Sequence, residues 1–102
     1  MQIIRDGEVM DIKQEDLQRF WTWVGLNFKY SRAPELELDL IYRYAIPKLQ
    51  KEGYATELTA HEHKGFKVRI AHIIRPNFYQ TESDSPTEAL YNAIMKVIVD
   101  TP

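Results

Sequence analysis

The sequence contains one cluster of side chains with the spacing of metal ligands, His61-Glu62-His63. Residues two apart on a strand share a face, so both imidazoles could approach one zinc ion. A zinc site needs three or four ligands, and the chain has no cysteine and no further histidine close by. His72 is expected on the opposite, inward face of the predicted strands. The sequence therefore predicts no metal site and no cofactor.

Side chains that could act in acid–base or nucleophilic catalysis are scattered along the chain. Glu57 and Glu62 are the candidate acids and bases, but they are predicted to lie on opposite faces of one strand. Ser31, Ser83 and Ser85 have the sequence context of helix caps and loops, not of a nucleophile elbow. The four glycines are isolated, which excludes a phosphate-binding loop. We expect no catalytic residues and a protein that is not an enzyme.

Length and composition indicate one domain with a modest core, spanning residues 1–102 of a 102-residue chain. The net charge is −2, and acidic and basic residues are mixed, so a strong attraction to nucleic acid or acidic membranes is not expected. The chain has no cysteines, which excludes disulfides. The sequence contains no membrane-spanning run and no signal peptide at its start, so we expect a cytoplasmic protein.

The elements that would position these side chains are organised around a predicted β-hairpin, residues 54–74. Alternating apolar and polar residues indicate two strands with one buried face. A three-residue loop, His63-Lys64-Gly65, keeps both apolar faces together and pairs Leu58 with Ile70. Residues 78–80 are predicted as a third strand. Asp6-Gly7 is a further hairpin signal, so residues 1–12 form an extra hairpin or a frayed arm.

Three helices are predicted around this hairpin. Asp11 and Gln14 resemble a capping box that opens a helix to about Val24. A second helix begins at Ser31, runs to about residue 52, and is expected to kink at Pro47. The third begins at Ser85-Pro86 and ends near residue 99. The predicted core residues are Leu17, Phe20, Trp21, Leu38, Ile41, Ala45, Leu49, Leu58, Phe66, Val68, Ile70, Leu90, Ile94 and Val97.

The second helix is apolar on two sides. Its second stripe, together with an off-face tryptophan of the first helix, consists of aliphatic and aromatic residues typical of interface anchors. We interpret these residues as a protein interface: Trp23, Leu36, Leu40, Tyr44 and Pro47. In the alternative interpretation the helix is sandwiched inside the fold and the stripe is core.

A candidate nucleic-acid surface is formed by Lys67, Arg69 and Arg75 near tyrosine side chains. The predicted order of elements, helix–strand–strand–strand–helix, is also that of a double-stranded-RNA-binding domain. That family binds phosphates with lysines at the start of its last helix, whereas this chain carries Glu82, Asp84 and nearby Glu88 there. Nucleic-acid binding therefore remains an alternative that depends on topology.

Three stretches resemble the phage ABA sandwich domain, a family of small proteins of bacteriophages and prophages: YSRAPELELDLIYRYAIPKLQKEGY, GFKVRIA and ESDSPTEALYNAIMKVI. The resemblance covers roughly residues 15 to 99. It implies a small phage protein with no assigned reaction and no functional residues to transfer. The sequence departs from the family pattern in its first dozen residues, at Pro47 and at Tyr91-Asn92.

These observations together predict an α+β fold in which a small antiparallel sheet, centred on one hairpin, is packed by three helices. The expected function is a non-enzymatic, phage-type protein-binding module in the bacterial host cytoplasm. Its partner is expected to be a host protein, such as a component of a defence system, or a second copy of the chain. A small structural or self-associating phage protein is a further alternative.

Overall fold

The computed structural model describes residues 2–5, 8–25, 36–63 and 65–100. The strands are β1 (Gln2–Arg5), β2 (Glu8–Asp11), β3 (Tyr54–His61), β4 (Gly65–His72) and β5 (Phe78–Ser83). Helix α1 spans Gln14–Val24, and helix α3 spans Pro86–Asp100. Helix α2, residues 38–51, consists of α-helical Leu38–Leu40, a π-helical turn Ile41–Ala45 and α-helical Ile46–Lys51. The predicted α+β fold, with three helices and a three-stranded antiparallel sheet, is confirmed.

The main sheet has the strand order β3-β4-β5, with both neighbouring pairs antiparallel. The predicted hairpin is confirmed, but its register is shifted by two residues, since Leu58 pairs with Val68 and not with Ile70. A shift of two leaves every side chain on its predicted face, so alternation alone could not detect it. Gly65 has φ +77, and an added Cβ there would lie 2.6 Å from the Ser83 carbonyl oxygen. Both facts require glycine at this position.

Strands β1 and β2 form a separate two-stranded antiparallel sheet, with Gln2 opposite Asp11 and Arg5 opposite Glu8. The Asp6-Gly7 turn lies outside the described residues. Asp11 is the last residue of β2, so the predicted capping box is wrong. The N-cap of α1 is Lys13, which makes no side-chain capping hydrogen bond.

Helix α1 ends as predicted at Gly25, whose φ of +110 is the left-handed geometry that favours glycine. Its N–H donates to the carbonyl oxygens of Trp21 and Thr22. Both Trp21 and Phe20 are fully buried, and their rings meet edge to face with centroids 4.8 Å apart. This contact fixes the inward side of α1.

Helix α2 begins later than predicted. Its N-cap is Glu37, in extended conformation, so the helix starts at Leu38. Ser31 and Pro34 lie outside the described residues. The predicted kink at Pro47 takes the form of a π turn directly before it, in which the Ile46 N–H donates to the carbonyl of Ile41, five residues back. Proline has no N–H to donate and its ring clashes with the carbonyl four residues back, which explains the widened turn at this point.

Helix α3 begins with the predicted cap, since the Glu88 N–H donates to Ser85 Oγ at 3.2 Å. The helix lies across the inner face of β4 and β5. Thr81 Oγ1 on β5 donates to the Ala89 carbonyl at 2.6 Å, and Lys96 Nζ donates to the Gln80 carbonyl at 3.2 Å. These bonds fix α3 along the edge strand β5.

The hydrophobic core lies between the inner sheet face and the helices. The predicted core residues are buried, apart from Leu38, Leu58 and Phe66, which are half-buried and pack against the core. Several further residues are buried that the prediction omitted: Ile12, Leu36, Ile46, Tyr54, Ala89, Tyr91, Ala93 and Ile98. None of the described helices is long and apolar enough to cross a membrane.

Candidate functional site

The first candidate site is the surface formed by Trp23 of α1 and by Leu40, Tyr44 and Pro47 of α2, which we call the helical surface. Tyr44 is 42% exposed, and Pro47 is also exposed. Leu40 and Trp23 are half-buried and pack against the core with part of their surface. The helical surface therefore combines anchored apolar side chains with freely accessible ones.

Leu36 is not part of this surface. It is fully buried, so its assignment to an exposed interface is wrong, and the core interpretation is correct for this one residue. The reason is local. Glu37 precedes the first helical turn in extended conformation and Leu36 is not helical, so the helical spacing that aligned Leu36 with Leu40 does not apply there.

Charged side chains flank the helical surface along α2. Lys48 Nζ lies 5.7 Å from the centre of the Trp23 ring and 3.1 Å from Glu52 Oε1. The ammonium therefore connects the tryptophan of α1 to α2 through a cation–π contact. Arg43, in the π turn, forms an ion pair with Asp39 four residues earlier: its Nη2 lies 3.0 Å from Asp39 Oδ2.

At α-helical spacing Tyr42 would share a side of α2 with the core residues Ala45 and Leu49. In the structure its side chain is 45% exposed, close to the 42% of Tyr44, and both residues lie in the π turn. A π turn has more residues per turn than an α-helix, so side chains within it are displaced from α-helical spacing. Proline at position 47 was the sequence signal for this displacement.

The second candidate site is the outer face of the main sheet, which holds two of the predicted nucleic-acid residues. Arg69 lies directly opposite Glu57 on β3, and Lys67 lies opposite Glu82 on β5. Arg69 also lies over the Phe78 ring, 5.1 Å from its centre. Each of these two cations thus has a carboxylate directly opposite it on the adjacent strand. The negative charge of these carboxylates opposes binding of a phosphate backbone.

Arg75, the third predicted nucleic-acid residue, is exposed in the bend after β4. The outer face also contains a shallow depression of about 170 Å³, lined by Glu57, Thr59, His61, Lys67, Arg69 and Gln80. Acids, bases and neutral polar groups alternate around it. This composition is that of an ordinary solvated sheet face.

The predicted metal-spaced residues lie at the tip of the hairpin. His61 ends β3, whereas Glu62 and His63 are in the turn, with His63 Nε2 3.8 Å from Glu62 Oε1 and both side chains more than 80% exposed. Among the described residues, no three His, Asp or Glu side chains are close enough to hold a metal ion. His72 lies on the inward face as predicted, opposite Tyr54.

Comparison with known proteins identifies no family for this chain. No family model matches it, and no solved structure matches it. A stretch of 40 residues is 42% identical to the nucleoporin Nup133 of Saccharomyces cerevisiae. That stretch covers 39% of this chain and 4% of the nucleoporin. The match is too short to indicate a shared fold or function.

Proposed function

We propose that this protein is a non-enzymatic protein-binding module that contacts its partner through the helical surface. The observation that carries the proposal is the exposure of Tyr44 and Pro47 beside half-buried Leu40 and Trp23. Aromatic side chains that are partly anchored in a core and partly accessible bury large areas on binding at low entropic cost. The pairs Asp39–Arg43 and Lys48–Glu52 supply a charged rim, which is the usual surrounding of an apolar contact.

The irregular backbone of α2 also supports a binding role. Single π turns within α-helices occur frequently at functional sites, because they displace side chains from regular spacing. Here the turn contains Tyr42 and Tyr44. In a regular α-helix Tyr42 would lie on the side of α2 that holds the core residues Ala45 and Leu49.

The more specific form of the proposal is a phage protein that acts in the bacterial host cytoplasm by blocking a host factor such as a defence component. It depends on the resemblance to the phage ABA sandwich domain in residues 15–99. The alternative to a host protein as the partner at the helical surface is a second copy of this chain.

The test compares two tyrosines of similar exposure in one turn. Tyr44→Ala and Tyr42→Ala each remove an accessible ring, 42% and 45% exposed, but only Tyr44 lies on the helical surface. Tagged wild type and both variants are used to capture proteins from nuclease-treated bacterial lysate, with mass spectrometry and then a binding constant for any captured protein. We expect Tyr44→Ala to weaken binding at least tenfold, as at an interface hot spot, and Tyr42→Ala to change it less than about twofold.

Equal effects of both substitutions, or no effect of Tyr44→Ala on a captured partner, would contradict the assignment of the helical surface. Circular dichroism of both variants controls for folding. Light scattering over a range of protein concentrations separates the competing partners. A dimer that dissociates in Tyr44→Ala would identify a second copy of the chain as the occupant of this surface.

A further inference from the structure

The bend after β4 is held by the imidazole of His72. The backbone N–H groups of Ile74 and Arg75 both donate to His72 Nδ1, at 3.1 and 3.0 Å. The other ring nitrogen, Nε2, lies 3.2 Å from the carbonyl oxygen of Glu52 at the end of α2. One side chain thus joins the bend to the α2–β3 junction.

These contacts define the protonation state of the ring. A nitrogen that accepts two N–H donors carries no proton of its own, so the ring is neutral and its proton is on Nε2. The Nε2–H then donates to the Glu52 carbonyl. A doubly protonated ring would place an N–H at Nδ1 against the two backbone donors, and neither backbone bond could form.

The ring has little freedom to adopt another orientation. It meets the Tyr54 ring edge to face with centroids 4.9 Å apart. An added Cβ on Gly53 would lie 2.8 Å from Nε2, so the Gly53 backbone lies directly against the imidazole. Two backbone bonds frame the same region, from the Ile73 N–H to the Gly53 carbonyl at 2.9 Å and from the His72 N–H to the Asn77 carbonyl at 3.2 Å.

The bend held in this way presents apolar side chains to solvent. Ile73 is 74% exposed and Ile74 is 85% exposed, and Phe78 at the start of β5 is 56% exposed. A single isoleucine at a surface is ordinary, but these two are consecutive and lie in a bend whose N–H groups donate to one imidazole, so they are positioned together. The conformation of the bend therefore decides how this apolar group is displayed.

Other titratable side chains surround the ring without replacing its role as acceptor. Tyr54 lies beside it, and Tyr79 lies on the same inner face of the sheet on β5. The Glu52 carboxylate pairs with Lys48 at 3.1 Å and so faces the surface of α2. Arg75 contributes a backbone donor and an exposed guanidinium.

We propose that His72 is a proton-operated latch: the neutral imidazole holds residues 73–76 in the observed bend, and protonation at Nδ1 releases them and changes the display of Ile73 and Ile74. The latch is closed while Nδ1 is unprotonated and opens when that nitrogen takes up a proton, so acid opens it. It is independent of the helical surface and of the function proposed for it.

The experiment follows the backbone amides of Ile74 and Arg75 by NMR between about pH 8 and about pH 5, the interval in which histidine changes charge. Protection from hydrogen exchange is expressed relative to an unstructured peptide at the same pH, which removes the intrinsic pH dependence of exchange. Chemical shifts of the ring nitrogens report the tautomer and its protonation. His61→Asn/His63→Asn serves as the background, so that His72 is the only histidine in the protein.

We expect the ring to carry its proton on Nε2 at high pH. Protection of both amides should fall about tenfold or more as the ring protonates, since each loses its acceptor. In His72→Asn, Oδ1 can replace Nδ1 as acceptor and does not titrate, so protection should persist across the range. In His72→Ala, both amides should be unprotected at every pH.

Four results would overturn the latch. The neutral ring could carry its proton on Nδ1, both amides could stay protected while the ring protonates, or the loss of protection could remain in His72→Asn. A ring that stays neutral until the whole protein unfolds in acid would also overturn it. If His72→Asn fails to fold, as judged by its thermal transition, the tautomer and the amide titration in the background protein still decide the question.

Discussion

Helices α2 and α3 are of similar length but differ in regularity, and the difference separates a packing role from a contact role. Helix α3 is regular over Pro86–Asp100 and buries one side against the sheet. Helix α2 has a widened turn in its middle and exposes Tyr42, Tyr44 and Pro47. Where the backbone is regular, the apolar residues are largely in the core, and where it is not, aromatic residues reach solvent.

The starts of the helices differ as well. Helix α3 begins with a side-chain cap from Ser85, whereas neither Lys13 at α1 nor Glu37 at α2 makes a side-chain capping bond. A helix with a local start signal depends less on its tertiary neighbours for its first turn. The Ser85 cap therefore stabilises the first turn of α3 locally, whereas the first turns of α1 and α2 have no such side-chain bond.

The largest expected effect comes from truncation of a core residue of α3. Ile94 is fully buried, and Ile94→Ala should reduce the free energy of unfolding by about 2–5 kcal/mol through lost burial and a residual cavity. Tyr44→Ala on α2 should change it by only about 0.5 kcal/mol, as expected for an exposed side chain. Urea denaturation of both variants measures the difference. If Tyr44→Ala lowered the free energy of unfolding as much as Ile94→Ala does, α2 and α3 would not differ in their contribution to packing.

The next effect concerns the caps. Ser85→Ala removes the acceptor of the Glu88 N–H and should cost about 1 kcal/mol of folding free energy. Lys13→Ser introduces a capping hydroxyl where α1 has none, so it should stabilise the protein by a comparable or smaller amount. Shifts of the denaturation midpoint in opposite directions are expected. Destabilisation by Lys13→Ser would show that the lysine makes a contribution other than capping.

A third effect is absent at neutral pH and appears only in alkaline solution; it involves the contact of α1 with α3. Burial of the phenol, and secondarily the Asp16 carboxylate, raises the pKa of Tyr91 from 10.0 to about 12. Between these two pH values the unfolded chain loses the phenol proton while the folded chain retains it, so stability should fall as the pH rises. Tyr91→Phe should lessen this decline relative to wild type, whereas Tyr42→Phe, at an exposed position, should not. Denaturation at a series of alkaline pH values measures both.

Much of the fold followed from local signals in the sequence. Gly25 ended α1, Ser85-Pro86 began α3, and alternation defined β3 and β4, because each of these features depends on a few neighbouring residues. The hairpin register did not follow, since shifts by two residues preserve the same buried face. The start of α2 was predicted too early because its apolar spacing continued through Leu36, which is buried without being helical.

The candidate sites were harder to predict from the sequence than the fold. Exposure of Tyr44 was predicted as part of the interface. The exposure of Tyr42 depends on the π turn, and Pro47 was the sequence feature that indicated where the helix would be irregular. The two amide donors of His72 lie two and three residues after it, while its third contact is 20 residues before it in the chain. A contact of that kind requires the hairpin to close first, so no local pattern reveals it.

The hydrogen bond from Lys96 to the Gln80 carbonyl has a consequence for the behaviour of the protein at high concentration. Strand β5 is at the edge of the main sheet, and an edge strand is a template on which a strand of another molecule can add. Here an ammonium group occupies one of its carbonyl acceptors. A strand that added at that position would have to displace this charge, so the same lysine that fastens α3 to the sheet also opposes the pairing of a further strand along this edge.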